Sequence, residues 1–209
     1  MTGRPRSAAL DRAILQATFE LAEELGHRGV SMEAVAARSG VAKQTVYRRY
    51  RSKGELFLDV LVTFAAEQLP TPDTGSLQGD LLVLLEATFT AQQGASGVLN
   101  RALAVESLQD DTFAGQLWSR LLEQRRQVLL DVIARARQRG EVSHPDDQFL
   151  VDLVFGPMWY WLLYGRGHLD VAYARQVAAA AALVASTATS APAHPSEPTG
   201  NPTADAAMR

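Results

Sequence analysis

Residues 31–50, SMEAVAARSGVAKQTVYRRY, carry two short stretches of helix-spaced apolar residues that meet at a glycine. Val35 and Ala36 precede Gly40, and Val41 and Val46 follow it. Ser31 offers an acceptor to the free N–H groups that open a helix, and Gly40 can take the left-handed conformation that ends one. The pattern predicts a helix over 32–39, a tight turn, and a second helix over 42–50. Helices this short are not stable alone. The pair therefore needs a third helix to pack against.

The surrounding sequence supplies it. Apolar positions recur at three and four along the chain and almost nowhere at two, so the fold class is all-α. A first helix is expected over 8–25, with Leu10, Ile14, Ala17, Leu21 and Leu25 on one face, Ser7 as its cap and Gly26 as its stop. Ser52-Lys53-Gly54-Glu55 has the form of a capping box and opens a fourth helix, expected to run to about Leu69. Leu56, Phe57, Val60, Leu61 and Phe64 give that helix a wide apolar face. PTPDTGS (70–76) breaks the periodicity and marks a domain boundary. Beyond it, helices are expected near 77–93, 97–109, 112–139, 146–165 and 170–188, with Asp146 and Asp170 as caps. Gly156-Pro157 should kink or interrupt the fourth of these, since proline lacks the donor and clashes with the preceding turn. Residues 189–209, rich in Ala, Pro, Ser and Thr without a periodic apolar face, are expected to be a disordered tail.

The charge is unevenly divided. The 209 residues carry a formal net charge of −3, yet residues 1–69 hold ten Lys/Arg against eight Asp/Glu, and residues 70–209 ten against fifteen. Between Arg38 and Lys53 stand six cations and no acid, and Lys43 and Lys53 are the only lysines in the chain. With Val35, Val41 and Val46 turned inward, Lys43, Gln44, Thr45, Tyr47 and Arg48 project from the outer face of the second short helix. That set suits a DNA major groove: Lys and Arg reach guanine edges or phosphates, Gln reads adenine, and Thr touches a thymine methyl. Arg49, Arg51 and Lys53 lie at the helix end and the following turn, where phosphate is the easier target. Tyr50 is expected in the core. A solvated basic face is the competing reading of the same residues.

Residues 8–68 resemble the DNA-binding domain of the tetracycline-repressor (TetR) family of bacterial transcription regulators. The resemblance rests on ELAEELG and on VSMEAVAARSGVAKQTVYRRYRSKGEL, where Gly40-Val41, Thr45-x-Tyr47, Tyr50 and Ser52-Lys53 fall at the family's spacing. Ala22 and Val30 depart from the family's usual phenylalanine and threonine. The resemblance implies an N-terminal three-helix helix-turn-helix domain (8–68, with the motif at 31–50) and a C-terminal helical domain for effector binding and dimerisation (76–188). It implies that Tyr47 and Lys53 bind phosphates, that Lys43, Gln44 and Thr45 line the base-reading surface, and that Ser31 sets a helix N-terminus against the DNA backbone. With Arg48 and Arg49 these form the expected DNA-binding set. Arg4 and Arg6 could form an arm reaching phosphate or the minor groove, though a disordered terminus is the simpler expectation.

One short recognition helix reads few base pairs, so a second copy is needed about one or more DNA turns away. FLVDLVFGPMWYWLLY (149–164) is apolar on nearly every side and must be covered on more than one face. The resemblance implies that the last two major helices pair with those of a second copy. Leu153, Trp161, Tyr164, Val177, Ala181 and Val184 are the expected homodimer contacts. It also implies a small-molecule pocket in the C-terminal domain. Phe89, Phe113, Trp118, Leu122, Met158, Trp159 and Trp161 are its candidate lining, and such a lining suits a hydrophobic or aromatic effector.

An enzyme is not expected. There is no cysteine, and His27, His144, His168 and His194 stand apart from one another, so neither a metal cluster nor a cofactor site is indicated. The apolar run 149–164 is shorter than the ~20 residues of a membrane span, and no secretory signal opens the chain, so a cytoplasmic protein is expected. The expectation is thus a dimeric regulator, most simply a repressor, that binds a palindromic double-stranded operator and is released by an apolar effector. A helical DNA-packaging or adaptor protein without sequence preference is the alternative.

Overall fold

The computed structural model describes residues 4–68, 70–165 and 169–188, with side chains omitted for 4–7 and 65–68. The side chains of Arg4 and Arg6, the loop holding His168 and the 189–209 tail lie outside the described residues. The chain forms α1 (Arg4–Gly29), α2 (Met32–Ser39), α3 (Lys43–Arg49), α4 (Lys53–Gln68), α5 (Leu77–Gln93), α6 (Ala95–Ser107) and α7 (Asp111–Leu117). A five-residue π turn (Trp118–Leu122) leads into α8 (Glu123–Gln138), followed by α9 (Asp147–Tyr164) and α10 (Val171–Ala185). The described residues contain no strand.

The helix ends have local causes. Ser31 Oγ accepts from the Ala34 N–H at 3.1 Å, and Gly40 closes α2 at φ 68°, a conformation that would strain a side chain. Ser52 Oγ accepts from the Glu55 N–H at 3.1 Å, while Glu55 Oε2 reaches back to the Arg51 N–H at 2.8 Å. The box is present, closed one residue further out than its simplest form. Asp146 and Asp170 cap α9 and α10 as expected, accepting from Phe149 N–H at 2.9 Å and Tyr173 N–H at 2.8 Å.

Expectations at Ser7, Leu25 and Pro157 are corrected. α1 begins at Arg4, so Ser7 lies within the helix rather than at its cap; the regular helix breaks at Gly26 (φ 68°), where its stop was expected, before a further turn to Gly29. Leu25, expected on the apolar face of this helix, is 58% exposed. The segment expected as a helix over 112–139 is helical throughout 111–138, with a π turn at Trp118–Leu122 inside it. α9 runs unbroken through Pro157.

Two hydrophobic cores organise these helices. The first gathers Ile14, Leu21, Val35, Val46, Leu56 and Leu61 from α1–α4 together with Leu99 and Leu103 of α6 and Phe113 and Leu117 of α7. The second is built from Leu81, Leu85 and Phe89 of α5, Leu129 and Ile133 of α8, Val151 and Met158 of α9, and Ala174 and Ala178 of α10. Chain order and core membership therefore differ: α6 and α7 follow the 70–76 break yet complete the first core. α6 packs on α1 and α4 and also on α5, which joins the two cores mechanically. Asp80, fully buried at the start of α5, accepts from Thr74 N–H at 2.6 Å and Thr74 Oγ1–H at 2.8 Å, with Arg139, just past the end of α8, at 3.3 Å. This fixes the 70–76 turn against the second core.

Candidate nucleic-acid interface and cavity

α3 is seven residues long and is held by what it buries. Val46 is wholly buried and Tyr50, just past the helix end, nearly so; burial pushes the Tyr50 phenol up to about 12. With those side chains inward, Lys43, Gln44, Tyr47 and Arg48 stand exposed on one outer face, and Thr45 is half-buried beside them. Ser31 is occupied as the cap of α2, which positions the scaffold helix behind this face.

An acid missed in the sequence ties part of the face together. Glu33 of α2 accepts from Lys43 Nζ at 2.7 Å and from Tyr47 Oη–H at 2.8 Å. Those two bonds, Lys43 first, hold the Glu33 carboxyl down to about 2 and raise the Lys43 ammonium and the Tyr47 phenol. Lys43 Nζ also lies 5.7 Å from the Tyr47 ring centroid. Glu33 thus holds two candidate DNA ligands in defined positions, and any phosphate must compete with it for them. The one signal in the sequence was a lone acid ten residues before Lys43, on a different helix.

The six cations of 38–53 divide by partner. Arg38 forks onto Glu24 of α1 at 2.7 and 2.9 Å, locking α2 to α1. Arg49, expected among the DNA-binding residues, is half-buried and pairs with Asp11 of α1, which ties it to the scaffold. Among the described residues no carboxylate meets Arg48, Arg51 or Lys53. Lys53 Nζ donates to the His27 carbonyl at 3.2 Å and lies 5.6 Å from the Phe57 ring, which presents it from the start of α4. The opening basic stretch is therefore both clamp and outward-facing surface.

A cavity of about 330 Å³ lies between α5, the π turn, α8 and α9. Trp118, Leu122, Met158 and Trp159 line it, four of the seven residues expected there. The π turn helps: Leu117 and Leu121 are buried in the first core, Trp118 lines the cavity, and Leu122 lines it while also packing against that core. Phe113 belongs to the first core, and Phe89 is buried in the second, stacked on Tyr173 with centroids 5.9 Å apart; neither lines this cavity. Trp161 borders a separate, more polar hollow near Gln92 and Asp170. Of the charged lining residues, Asp152 stands out in the sequence as the one charge in the apolar run 149–164, whereas Arg125 and Arg126 carry no distinguishing signal.

The expected contacts to a second copy also divide. Tyr164 is 71% exposed, whereas Leu153, Trp161 and Val184 are half-buried. Val177 and Ala181 are buried against this chain's own second core and present nothing to a partner. The large exposed apolar residues of α9 and α10 include Tyr160 and Leu163 beside Tyr164 near the C-terminus of α9, and Leu183 on α10 toward the opposite end of the pair. Among the described residues no group of His, Cys, Asp and Glu could hold a metal ion, and no helix is long and apolar enough to cross a membrane.

Comparisons with known proteins agree with this arrangement. Residues 14–60 match the family described as bacterial regulatory proteins, tetR family, and residues 71–181 match the tetracyclin repressor-like C-terminal domain. The chain is 32% identical over 154 residues to the HTH-type transcriptional regulator AqdR of Rhodococcus erythropolis, covering 72% of each. It is 29% identical over 179 residues to the HTH-type regulator YdeS of Bacillus subtilis, covering 84% of this chain and 89% of that one. A solved structure of the TetR-family regulator SCO0332 superposes with a TM-score of 0.70 at 28% identity, covering 83% of this chain and 96% of that one. A basic reading helix clamped to a three-helix scaffold, followed by a helical domain that encloses a cavity, is thus matched in both halves: the chain belongs to the TetR family of DNA-binding transcriptional regulators, which are not enzymes.

Proposed function

We propose that this regulator acts as a homodimeric repressor that reads a palindromic operator and leaves it when a small apolar or aromatic effector fills the cavity between the π turn, α8 and α9. The observation that carries this reading is the exposed face of α3: Lys43, Gln44, Tyr47 and Arg48 point outward while Val46 and Tyr50 anchor the helix from behind. Base reading falls to Lys43, Gln44 and Thr45, and phosphate contact to Tyr47, Arg48 and Lys53, with Ser31 setting the N-terminus of α2. The exposed apolar side chains of Tyr160, Leu163 and Tyr164 on α9 and of Leu183 on α10 support pairing through these two helices, since exposed apolar groups gain by mutual burial. Pairing there would set the separation of the two reading heads, and half-sites must match that separation. An effector releases the operator only by binding the DNA-incompetent arrangement more tightly.

The test is a footprint on duplex carrying a selected site, combined with sedimentation of the free protein. The expected result is two symmetric protected half-sites and a dimer that Leu163→Glu with Leu183→Glu dissociates. A monomer that protects one unrepeated site would overturn the dimeric reading.

A further inference from the structure

Among the described residues, the cavity holds a charge that no side chain answers. Arg125 and Arg126 of α8 both line it, with Asp152 of α9. Arg126 is occupied: one guanidinium nitrogen pairs with Asp152 at 2.7 Å, the other donates to Gln148, and the group lies 5.3 Å from the Trp118 ring centroid. Arg125 is not. Its Nε is buried without a hydrogen-bond partner, and among the described residues no carboxylate reaches its guanidinium. Burial draws its pKa down to about 10, which still leaves it protonated near neutrality. With Asp152 cancelled by Arg126, the lining carries one uncompensated positive charge amid Trp118, Leu122, Met158 and Trp159.

A buried guanidinium without a counter-charge is costly unless something supplies one. We infer that the cavity takes an amphipathic carboxylate, with its oxyanion on the Arg125 guanidinium and its aromatic or aliphatic body among Trp118, Met158 and Trp159. This rests on the reading of the cavity as the effector site and narrows its chemistry. The planar fork of arginine matches a carboxylate in two parallel hydrogen bonds. A cation would meet the unbalanced charge directly, and a neutral molecule would leave Arg125 as it was. A second negative charge on the ligand would face Asp152. At about 330 Å³ the space suits a small molecule with one such headgroup, toward the lower end of known ligand sites.

Isothermal calorimetry on the full chain separates these cases with two pairs of probes that differ in charge: 2-naphthoate against 2-naphthamide, and octanoate against octanol. The acids are expected to bind at least about tenfold tighter than their neutral partners, the value of a charge-assisted hydrogen bond. Arg125→Gln is expected to remove that preference while retaining the neutral probes, and Trp118→Ala to weaken acid and neutral alike. Arg125→Met serves as the folding control, with a melting temperature in the absence of ligand equal to or above that of the unaltered protein. Equal affinities within a pair, or an acid preference that survives Arg125→Gln, would overturn the carboxylate assignment alone. Failure of all four probes to bind, or binding untouched by Trp118→Ala, would overturn the cavity as the effector site and this inference with it.

Discussion

Gly97 sits where the two cores are joined, and replacing it with alanine tests that joint. A Cβ at this position would lie 1.9 Å from the Gln92 carbonyl oxygen and 2.8 Å from its carbon. Carbon and carbonyl oxygen ordinarily approach no closer than about 3.3 Å, so α6 and the end of α5 must part by about 1.4 Å. The obstacle is backbone, so no rotamer change relieves it. The shift also bears on the buried hydrogen bond from Asn100 Nδ2 to Gln92 Oε1, now 2.9 Å. Stretched by that amount it is lost, leaving buried amides unpaired at roughly 1–3 kcal/mol, with a further ~1–3 kcal/mol for overpacking. Alanine recovers about 1 kcal/mol through helix propensity and the stiffer unfolded chain. The net is a loss of about 1–5 kcal/mol, on the order of 10 °C in melting temperature at the middle of that range for a domain of this size. Urea and thermal unfolding followed by circular dichroism measure it directly. A Gly97→Ala variant as stable as the parent, or more so, would refute the close approach of α5 and α6 and the role of α6 as the link between the cores.

The reading surface and the helix ends are open to equally direct tests. Lys53→Ala should weaken all duplexes alike and flatten the slope of log affinity against log salt by about 0.9 per subunit, near 2 for a dimer. Gln44→Ala should instead relax preference at one base pair by ~1–3 kcal/mol with little change in slope; a competition series across variant sites separates the two. Glu33→Gln removes the acid that holds Lys43 and Tyr47, so DNA affinity should rise several-fold on the order expected for one freed cation, and a fall would place Glu33 in the binding geometry itself. Glu141 is held below the ordinary carboxylate range first by the Leu77 N–H at the start of α5 and then by Arg139. A depressed folded value means its contribution is present above the unfolded value and lost as pH falls through the folded one. Glu141→Gln should therefore lower stability at neutral pH and shrink the loss on acidification below the ordinary carboxylate range, read from denaturant midpoints between pH 3 and 7.

Much of the architecture was legible because it is local. Helix periodicity, the Ser31, Asp146 and Asp170 caps and the Gly40 turn each depend on neighbours within a few residues, and the expected spans of α2, α5, α9 and α10 agree closely with those observed. The outward face of α3 was legible for the same reason, since burying Val46 forces Lys43 and Tyr47 to the other side. What was not legible depends on partners distant in sequence. Arg49 reads as a free cation until Asp11 is brought beside it, and Glu33 reads as a solvated acid until α2 and α3 fold together. Phe113 was placed with the C-terminal aromatics by chain order, whereas α7 folds back onto the first core. Val177 and Ala181 have the small size that suits a close interface, but α5 takes that face first. Arg125 is one of several arginines in a short polar run, and only its position beside the cavity distinguishes it.

The most direct test is to select duplexes from a random pool with the purified full chain at near-physiological salt and sequence the bound fraction. The predicted result is a short palindrome whose half-sites are centred about one or more DNA turns apart, lost from the selection when Gln44 and Tyr47 are both replaced by alanine. Retention of DNA without enrichment of any sequence would contradict operator reading by α3 and favour a protein that binds duplex without choosing among sites.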